Sequence, residues 1–476
     1  MLLDPDLCYR ALAARDRRFD GEFFVGVAST GIYCRPVCTA RRPRRENCSF
    51  HPSAAAAESA GFRPCLRCRP ELAPGAAPLD APERLARTAA NLIEDGALDD
   101  GNLDALAARL AVTGRHLRRV FASLFGVAPV AYAQTHRLLL AKRLLTDTDL
   151  PVTDVAYAAG FGSFRRFHAL FRARYRMAPS DLRHARHGPP PANMGFLLSY
   201  RPPYEFDALL AFLSARTIAG VETVIDGQYA RTVRVTHRDR VHTGWIIVTH
   251  APDRLGLRVA LSPGLVPVIP AVLQRTQRLF DLAANPATIA AQLGAVATSA
   301  PGLRLPGAFD GFELAVRAVL GQQITVKAAR TLAGRFATAF GAPLESTIAG
   351  LDAVFPAADR VAALDVADIA GLGVIRTRAA AILAIARAVA DGTLALEPSA
   401  DVATQMERLR SLPGIGDWTA QYIAMRALAW PDAFPHGDLG VRKALGTTTD
   451  RGTLAAAEAW RPWRGYAVMH LWRQLA

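Results

Sequence analysis

The sequence predicts a multidomain chain: a small α+β domain, an all-α segment, a mixed α/β domain and a second all-α domain. Three observations predict it. The chain has 476 residues, more than a single hydrophobic core organises. All six cysteines fall between Cys8 and Cys68. Two stretches rich in Pro, Gly and Ala or His, at 73–78 and 187–193, read as linkers between segments of different composition. The boundaries that follow are 1–75, 82–187, 195–300 and 301–476.

Net charge is +14, and both halves contribute. Residues 1–190 hold 28 Lys and Arg against 19 Asp and Glu, and residues 191–476 hold 28 against 23. A basic surface suits a polyanionic partner such as double-stranded DNA. No apolar run reaches the roughly 18–20 residues that span a bilayer, so no membrane role is expected. The N-terminus, Met-Leu-Leu-Asp-Pro-Asp, lacks a basic n-region and a long apolar core. The expected location is therefore the cytoplasm. Cysteines clustered in one small segment of a large, otherwise cysteine-free chain favour metal binding over disulfides.

In the first domain, Cys34-x3-Cys38 and Cys65-x2-Cys68 are two chelating pairs separated by 26 residues. Four soft thiolates at this spacing suit one tetrahedral zinc ion, Zn2+, held by Cys34, Cys38, Cys65 and Cys68. Spacing alone favours a closed structural staple that only holds a small domain together. Cys8 and Cys48 have no paired spacing and read as buried or free thiols. The residues around the pairs add a resemblance. Thr30 through Cys38, Arg44-Arg45-Glu46-Asn47, and Gly61 through Cys68 resemble the N-terminal domain of the Ada methylation-response family. That resemblance implies that Cys34 accepts a methyl group from a methylated DNA phosphotriester. The physics is coherent, since a metal-held thiolate is a ready nucleophile at neutral pH. Four thiolates around Zn2+ carry net −2 and repel phosphate. Methylating one leaves net −1, and Arg35, Arg41, Arg42, Arg44 and Arg45 lie nearby to grip the backbone.

Residues 82–187 read as helices without strand signals. A repeat at an offset of 50 aligns Leu106, Thr113, Leu117, Phe121, Phe125 and Pro129 with Ala156, Ser163, Phe167, Phe171, Tyr175 and Pro179. Apolar steps of four describe one buried helix face, and Thr113 and Ser163 are suited to cap the helices that follow. Each copy reads as a helix-turn-helix. The second copy, Gly160-Phe161-x-Ser163 through Phe171 and Pro179, resembles the AraC-type regulator signature. Arg115, His116, Arg118 and Arg119, then Arg165, Arg166 and His168, lie on the polar side of the second helices. Such residues reach base edges and phosphates in a major groove, against the plainer reading of a solvated basic face.

From 195 to 300, stretches at 221–224, 230–235, 244–249 and 255–261 are β-rich, with turns at Asp226-Gly227 and Pro252-Asp253. Helical runs sit at 203–216 and 268–284. No chemistry is visible there, and packing or DNA flanking is the expectation. After 305 the chain turns helical, at 309–320, 326–339, 376–390, 403–409, 418–428 and 453–459. Leu412-Pro413-Gly414-Ile415-Gly416 is a tight turn opening a helix, where Gly414 and Gly416 let backbone amides approach a phosphate. Asp438 follows in a loop marked by Pro and Gly.

Across 195–476, the stretches 301–307, 317–323 and 460–464 resemble the 3-methyladenine DNA glycosylase II (AlkA) family of the helix-hairpin-helix superfamily. The resemblance implies cleavage of the bond between sugar and damaged base, after the nucleotide is flipped out of the duplex. Asp438 is then the catalytic carboxylate, stabilising positive charge on the sugar and orienting or deprotonating water. A base alkylated on a ring nitrogen is already cationic and leaves without an acid, so one carboxylate suffices. Position 437, where some relatives place a second acid, is Gly. Trp418, Tyr422 and Trp472 fall at base-pocket positions, although aromatic pairs at this spacing are usually core. Rings attract a cationic purine by about 0.5–2 kcal/mol each. Trp418 stands where bifunctional relatives carry a Schiff-base lysine, so strand cleavage is not expected. Gln323 stands where an apolar wedge fills the gap left by the flipped base. The Pro-Cys-His-Arg motif that usually ends Ada proteins is absent.

The expected protein is thus an adaptive-response fusion. It accepts methyl groups on Cys34, activates transcription when methylated, and excises alkylated purines such as 3-methyladenine and 7-methylguanine. The expected partners are alkylated and promoter DNA and RNA polymerase, with the chain a monomer. The alternative is a transcription regulator whose glycosylase region binds DNA without excising bases.

Overall fold

The computed structural model describes residues 4–73, 81–99, 102–184, 195–398 and 401–475. Residues 74–78 and 187–193 of the expected linkers lie outside the described residues. The chain divides into two compact units. One comprises 1–202, 251–274 and 282–285, and the other 203–250, 275–281 and 286–476.

The first unit begins with helix Pro5–Ala14, whose first turn is capped by the Asp4 carboxylate. A four-stranded sheet follows, ordered Cys48–His51, Phe24–Val27, Ile32–Cys34 and Arg63–Pro64. The last pair is parallel and the others antiparallel. Cys8, Leu12, Phe23 and Val25 form the core between helix and sheet. Cys8 is therefore a packing residue, and burial pushes its thiol up to about 11.

Seven helices come next: Ala81–Glu94, Leu103–Arg109, Gly114–Phe125, Pro129–Asp147, Val152–Ala158, Phe164–Tyr175 and Pro179–His184. The offset of 50 is kept in three dimensions, since Gly114–Phe125 and Phe164–Tyr175 are equivalent 12-residue helices. Thr113 and Ser163 cap them, each side chain accepting the amide three residues on. Leu117, Phe121, Phe167 and Phe171 are fully buried. Each contributes roughly 1.5–3 kcal/mol by leaving water.

Helix Ala54–Ser59 of the cysteine-bearing part reaches both repeats. Ser53 donates to the carbonyl of Phe125 at 2.7 Å. Glu58 accepts from Tyr33 at 3.0 Å and from Thr135 at 3.2 Å, and it pairs with Arg174 at 3.3 Å. A second buried link joins Lys142 to Glu71 at 2.7 Å. Strand Gly195–Ser199, which carries no clear sequence signal, pairs antiparallel with Gly256–Leu261.

The second unit contains strands Glu222–Ile225, Gln228–His237 and Arg240–Ala251 in an antiparallel meander. Asp226 and Gly227 both adopt positive φ, the backbone that a two-residue hairpin turn requires. The helical run expected at 203–216 is helix Phe206–Ser214. Helix Ile269–Leu279 stops short of the expected 284 because Asp281 turns left-handed and fixes Leu305 N–H and Tyr466 Oη. Helices Gly311–Leu320, Val326–Phe340, Arg376–Ala390, Val402–Ser411 and Asp417–Arg426 match the expected runs within a few residues. The run expected at 453–459 is displaced to Asp450–Ala456 because Thr449 caps it. Leu439–Leu445 is the helix expected after the Asp438 loop, whereas short helices Ala358–Ala362 and Val366–Ala370 and the last helix, Arg464–Arg473, were not expected. The two short ones span few turns, too few for a periodic signal.

A buried ion network ties helix Gly311–Leu320 to the meander. Arg231 pairs with Glu313 at 2.6 Å, and Arg317 with Glu222 and Glu313 at 2.9 Å each. Removing one member would strand an uncompensated buried charge, which typically costs 3–5 kcal/mol.

Glu58 generates a pH prediction. Burial pushes its carboxyl up to about 7, against the pull of Arg174 and of the Tyr33 and Thr135 hydrogen bonds. From roughly pH 4.5 to 7 the folded chain therefore holds a proton that the unfolded chain has released. This group's contribution to stability falls as pH rises through that window, by about 3 kcal/mol at most. Urea unfolding of the parent protein and Glu58→Gln at pH 5, 6 and 7 checks this. The parent should lose stability relative to the variant as pH rises, and parallel pH profiles would rule the effect out.

Candidate functional sites

The four paired cysteines converge. Cys34 ends strand Ile32–Cys34, Cys38 follows a short turn, and Cys65 and Cys68 follow strand Arg63–Pro64, its parallel neighbour. Their four sulfurs lie within 4.8 Å of one another, and all are free thiols. Tetrahedral zinc with sulfur at about 2.3 Å needs sulfurs roughly 3.8 Å apart, so the donor set fits Zn2+. Cys38 and Cys65 are buried, while Cys34 and Cys68 are partly exposed. One Zn2+ is the cofactor that this arrangement holds.

Arg35 departs from the expectation that it grips DNA. It is buried, its guanidinium pairs with Asp20, and it donates to the Cys68 carbonyl at 3.2 Å. Its backbone amide points at Cys68 Sγ, 3.4 Å away. Arg35 therefore braces the cysteine loop, which its adjacency to Cys34 in sequence did not reveal. Arg41, Arg42 and Arg44 are exposed. Arg45 is half-buried, lies over the Phe50 ring and pairs with Asp6 at 3.3 Å.

Along the two capped helices, Arg115, Arg118, Arg119, Arg165 and Arg166 are exposed. Their partners on the opposite face are the buried Leu117, Phe121, Phe167 and Phe171. His116 and His168 are half-buried, and His116 Nδ1 contacts Arg119 at 3.1 Å.

In the second unit, helices Val402–Ser411 and Asp417–Arg426 are joined by 412–416. Gly414 has φ +77°, and a Cβ there would stand 3.0 Å from that of Ala381. Gly416 is exposed, forms the N-cap of the second helix and has open space around it. The hairpin is braced by Gln322, which donates to the Gly414 carbonyl at 3.0 Å and to Thr419 at 2.9 Å. Its neighbour Gln323 is exposed and held at φ +53°, a strained backbone for a non-glycine residue.

Asp438 caps helix Leu439–Leu445, with Oδ1 accepting the Val441 amide at 2.9 Å. Trp472 Nε1 donates to the same oxygen at 2.9 Å, and Trp418 Nε1 donates to Oδ2 at 2.9 Å. Trp418 and Tyr422 stack at 5.4 Å with an interplanar angle of 10°, and Tyr422 lies 6.3 Å from Trp472. Trp418, Tyr422, Trp472 and Asp438 are thus brought together, each partly accessible.

Three further residues join this wall without a signal in the sequence. Phe212 stacks on Trp472 at 6.4 Å and 12°. Arg216 lies 3.8 Å over the Phe212 ring. Arg426 donates to Tyr422 Oη at 2.8 Å and to the Pro306 carbonyl at 2.9 Å. Burial opposes the phenolate of Tyr422, but Arg426 and Arg216 outweigh it and hold the phenol below its ordinary range. The segment 195–300, expected to carry no chemistry, therefore adds a ring and a guanidinium to the aromatic wall. Only tertiary contact brings 212 to 472.

Comparison with known proteins gives four matched family models: the metal binding domain of Ada at 7–71, a helix-turn-helix domain at 106–185, the AlkA N-terminal domain at 195–310, and the HhH-GPD superfamily base excision DNA repair protein at 316–453. The "Probable bifunctional transcriptional activator/DNA repair enzyme AlkA" of Mycobacterium tuberculosis is 40% identical over 488 residues, covering 99% of this chain and 97% of the relative. The "DNA-3-methyladenine glycosylase 2" of Escherichia coli is 39% identical over 58% of this chain and 96% of its own. The "Bifunctional transcriptional activator/DNA repair enzyme Ada" of Escherichia coli is 35% identical over 38% of this chain and 50% of its own. With identity at this level across nearly the whole of both chains, this chain belongs to the family of bifunctional transcriptional activator/DNA repair enzymes named AlkA.

Proposed function

We propose that the chain is a methylation-switched transcriptional activator that also excises alkylated purines from DNA. The observation that carries the repair reading is a single carboxylate, Asp438, gripped by two indoles in a wall of stacked rings. A cationic base suits that wall, because ring faces attract cations. In this reading Asp438 meets the positive charge that develops on the sugar. The base leaves with the electron pair of the glycosidic bond and becomes neutral. Water then supplies hydroxyl to the sugar carbon and its proton passes to solvent. Trp418 has no amine to form a Schiff base, so the product is an abasic site. Gly414 and Gly416 of the hairpin grip phosphate, and Gln323, raised on its strained turn, fills the gap in the duplex.

Cys34, Cys38, Cys65 and Cys68 would hold Zn2+, which would keep their thiolates deprotonated at neutral pH. Cys34 Sγ uses its electron pair to bond the methyl carbon. The carbon–oxygen bond breaks, and the phosphate oxygen leaves with its pair as a restored diester. The cysteine cluster loses one negative charge, and the exposed Arg41, Arg42 and Arg44 then meet the phosphate backbone with less repulsion. Arg115, Arg118, Arg119, Arg165 and Arg166 read the promoter from the two helix-turn-helix units. Two such units in one chain supply what a dimer otherwise provides, which supports a monomer. RNA polymerase is the partner of the activator half. Cysteines grouped for metal binding favour the reducing cytoplasm, and no helix of the described residues is long and apolar enough to cross a membrane. The domains are read as 1–75, 82–187, 195–300 and 301–476.

Two measurements test this. Single-turnover release of 3-methyladenine and 7-methylguanine from methylated duplex should fall at least 100-fold in Asp438→Asn, with duplex binding retained. No release by the parent would leave a regulator that binds without excising. After incubation with methylated DNA, peptide mass spectrometry should find one added methyl on Cys34 in the parent. Cys34→Ser should take up none while its glycosylase activity persists, and methyl on another cysteine would refute the assignment.

A further inference from the structure

We infer that Trp418 and Trp472 are positioning residues for Asp438, a role carried by their indole N–H groups and separable from the stacking of their rings. The inference rests on the reading of Asp438 as the carboxylate that meets the sugar.

A carboxylate offers about four acceptor positions. Three are filled: Oδ1 takes the Val441 amide and the Trp472 indole, and Oδ2 takes the Trp418 indole, each at 2.9 Å. The three donors come from well-separated places: the Trp418 helix, the last helix, and the helix that Asp438 itself caps. With both oxygens held, the carboxylate plane cannot rotate without breaking a charge-assisted hydrogen bond. One acceptor position on Oδ2 remains for water or substrate.

The approach of Trp472 depends on Gly440. A Cβ at 440 would lie 3.1 Å from Asp438 Oδ1 and 3.2 Å from Trp472 Cδ1, tight against the hydrogen bond itself. The last helix is pinned in turn by Arg464, which grips Asp432 through two nitrogens at 2.7 and 2.8 Å. The ring faces serve elsewhere, Trp418 stacking on Tyr422 and Trp472 on Phe212. Each tryptophan thus presents a face to the aromatic wall and an edge to the carboxylate. A pocket that needed only apolar surface or a π face would be met by Phe, which has no N–H.

The test uses Trp418→Phe and Trp472→Phe in the full chain, with thermal unfolding as the check on folding. Each change should lower the single-turnover rate of base release by about ten- to a hundred-fold, the worth of one hydrogen bond to a charged group. Affinity for a duplex carrying an abasic-site analogue should stay within about twofold. An unchanged rate, or a parallel loss of rate and affinity, would overturn the N–H role. A second readout needs no catalysis. The chain has six tryptophans, and in an indole N–H correlation spectrum Asp438→Ala should move the two resonances that Trp418→Phe and Trp472→Phe delete. If those two stay in place, the hydrogen bonds are not present in solution. If they move but the parent releases no base, the positioning stands and the glycosylase reading falls.

Discussion

The fixed carboxylate of Asp438 is the constraint on which the second unit depends. A carboxylate proposed to act on a sugar must be held still and unspent by the protein's own cations. The structure meets both conditions. Its three protein donors are two indoles and an amide, all neutral. The guanidiniums nearby are engaged elsewhere, with Arg426 on Tyr422 and backbone carbonyls and Arg464 on Asp432. Gly437, where an acid would have raised local repulsion, is itself uncharged and exposed.

The first unit handles charge in the opposite way. It gathers four sulfurs within 4.8 Å, an arrangement that repels phosphate when all four are thiolates. Arg35, next to Cys34 in sequence, is spent on Asp20 and the cysteine loop and does not soften that repulsion at the surface. The sensing device therefore rests on metal-held charge rather than on a balanced surface.

Buried polar contacts also join the cysteine-bearing part to both helix-turn-helix repeats. Ser53 meets the end of the first recognition helix, and Glu58 meets Arg174 near the end of the second. Glu58 also takes a hydrogen bond from Tyr33, the residue before Cys34. Such buried groups are costly when unpaired, so they favour one relative arrangement of these parts over nearby alternatives. Methyl acceptance and promoter reading are in this way housed in one compact unit.

The sequence by itself determined what depends on short spacing. Four cysteines in two chelating pairs, a helix-turn-helix repeated at an offset of 50, and a glycine hairpin before a lone aspartate are local patterns, and their chemistry is set within a few residues. Helix caps at Thr113 and Ser163 were legible for the same reason. Tertiary structure alone decided what depends on distant segments meeting. Phe212 and Arg216 came to the aromatic wall from a segment with no visible chemistry, and Arg35 was drawn inward by Asp20. The double grip on Asp438 joins positions 418, 438 and 472, whose spacing says nothing about which ring edge faces which oxygen. Residue type and spacing are carried along the chain, whereas the direction of a side chain is settled only by the packing of elements far apart in sequence.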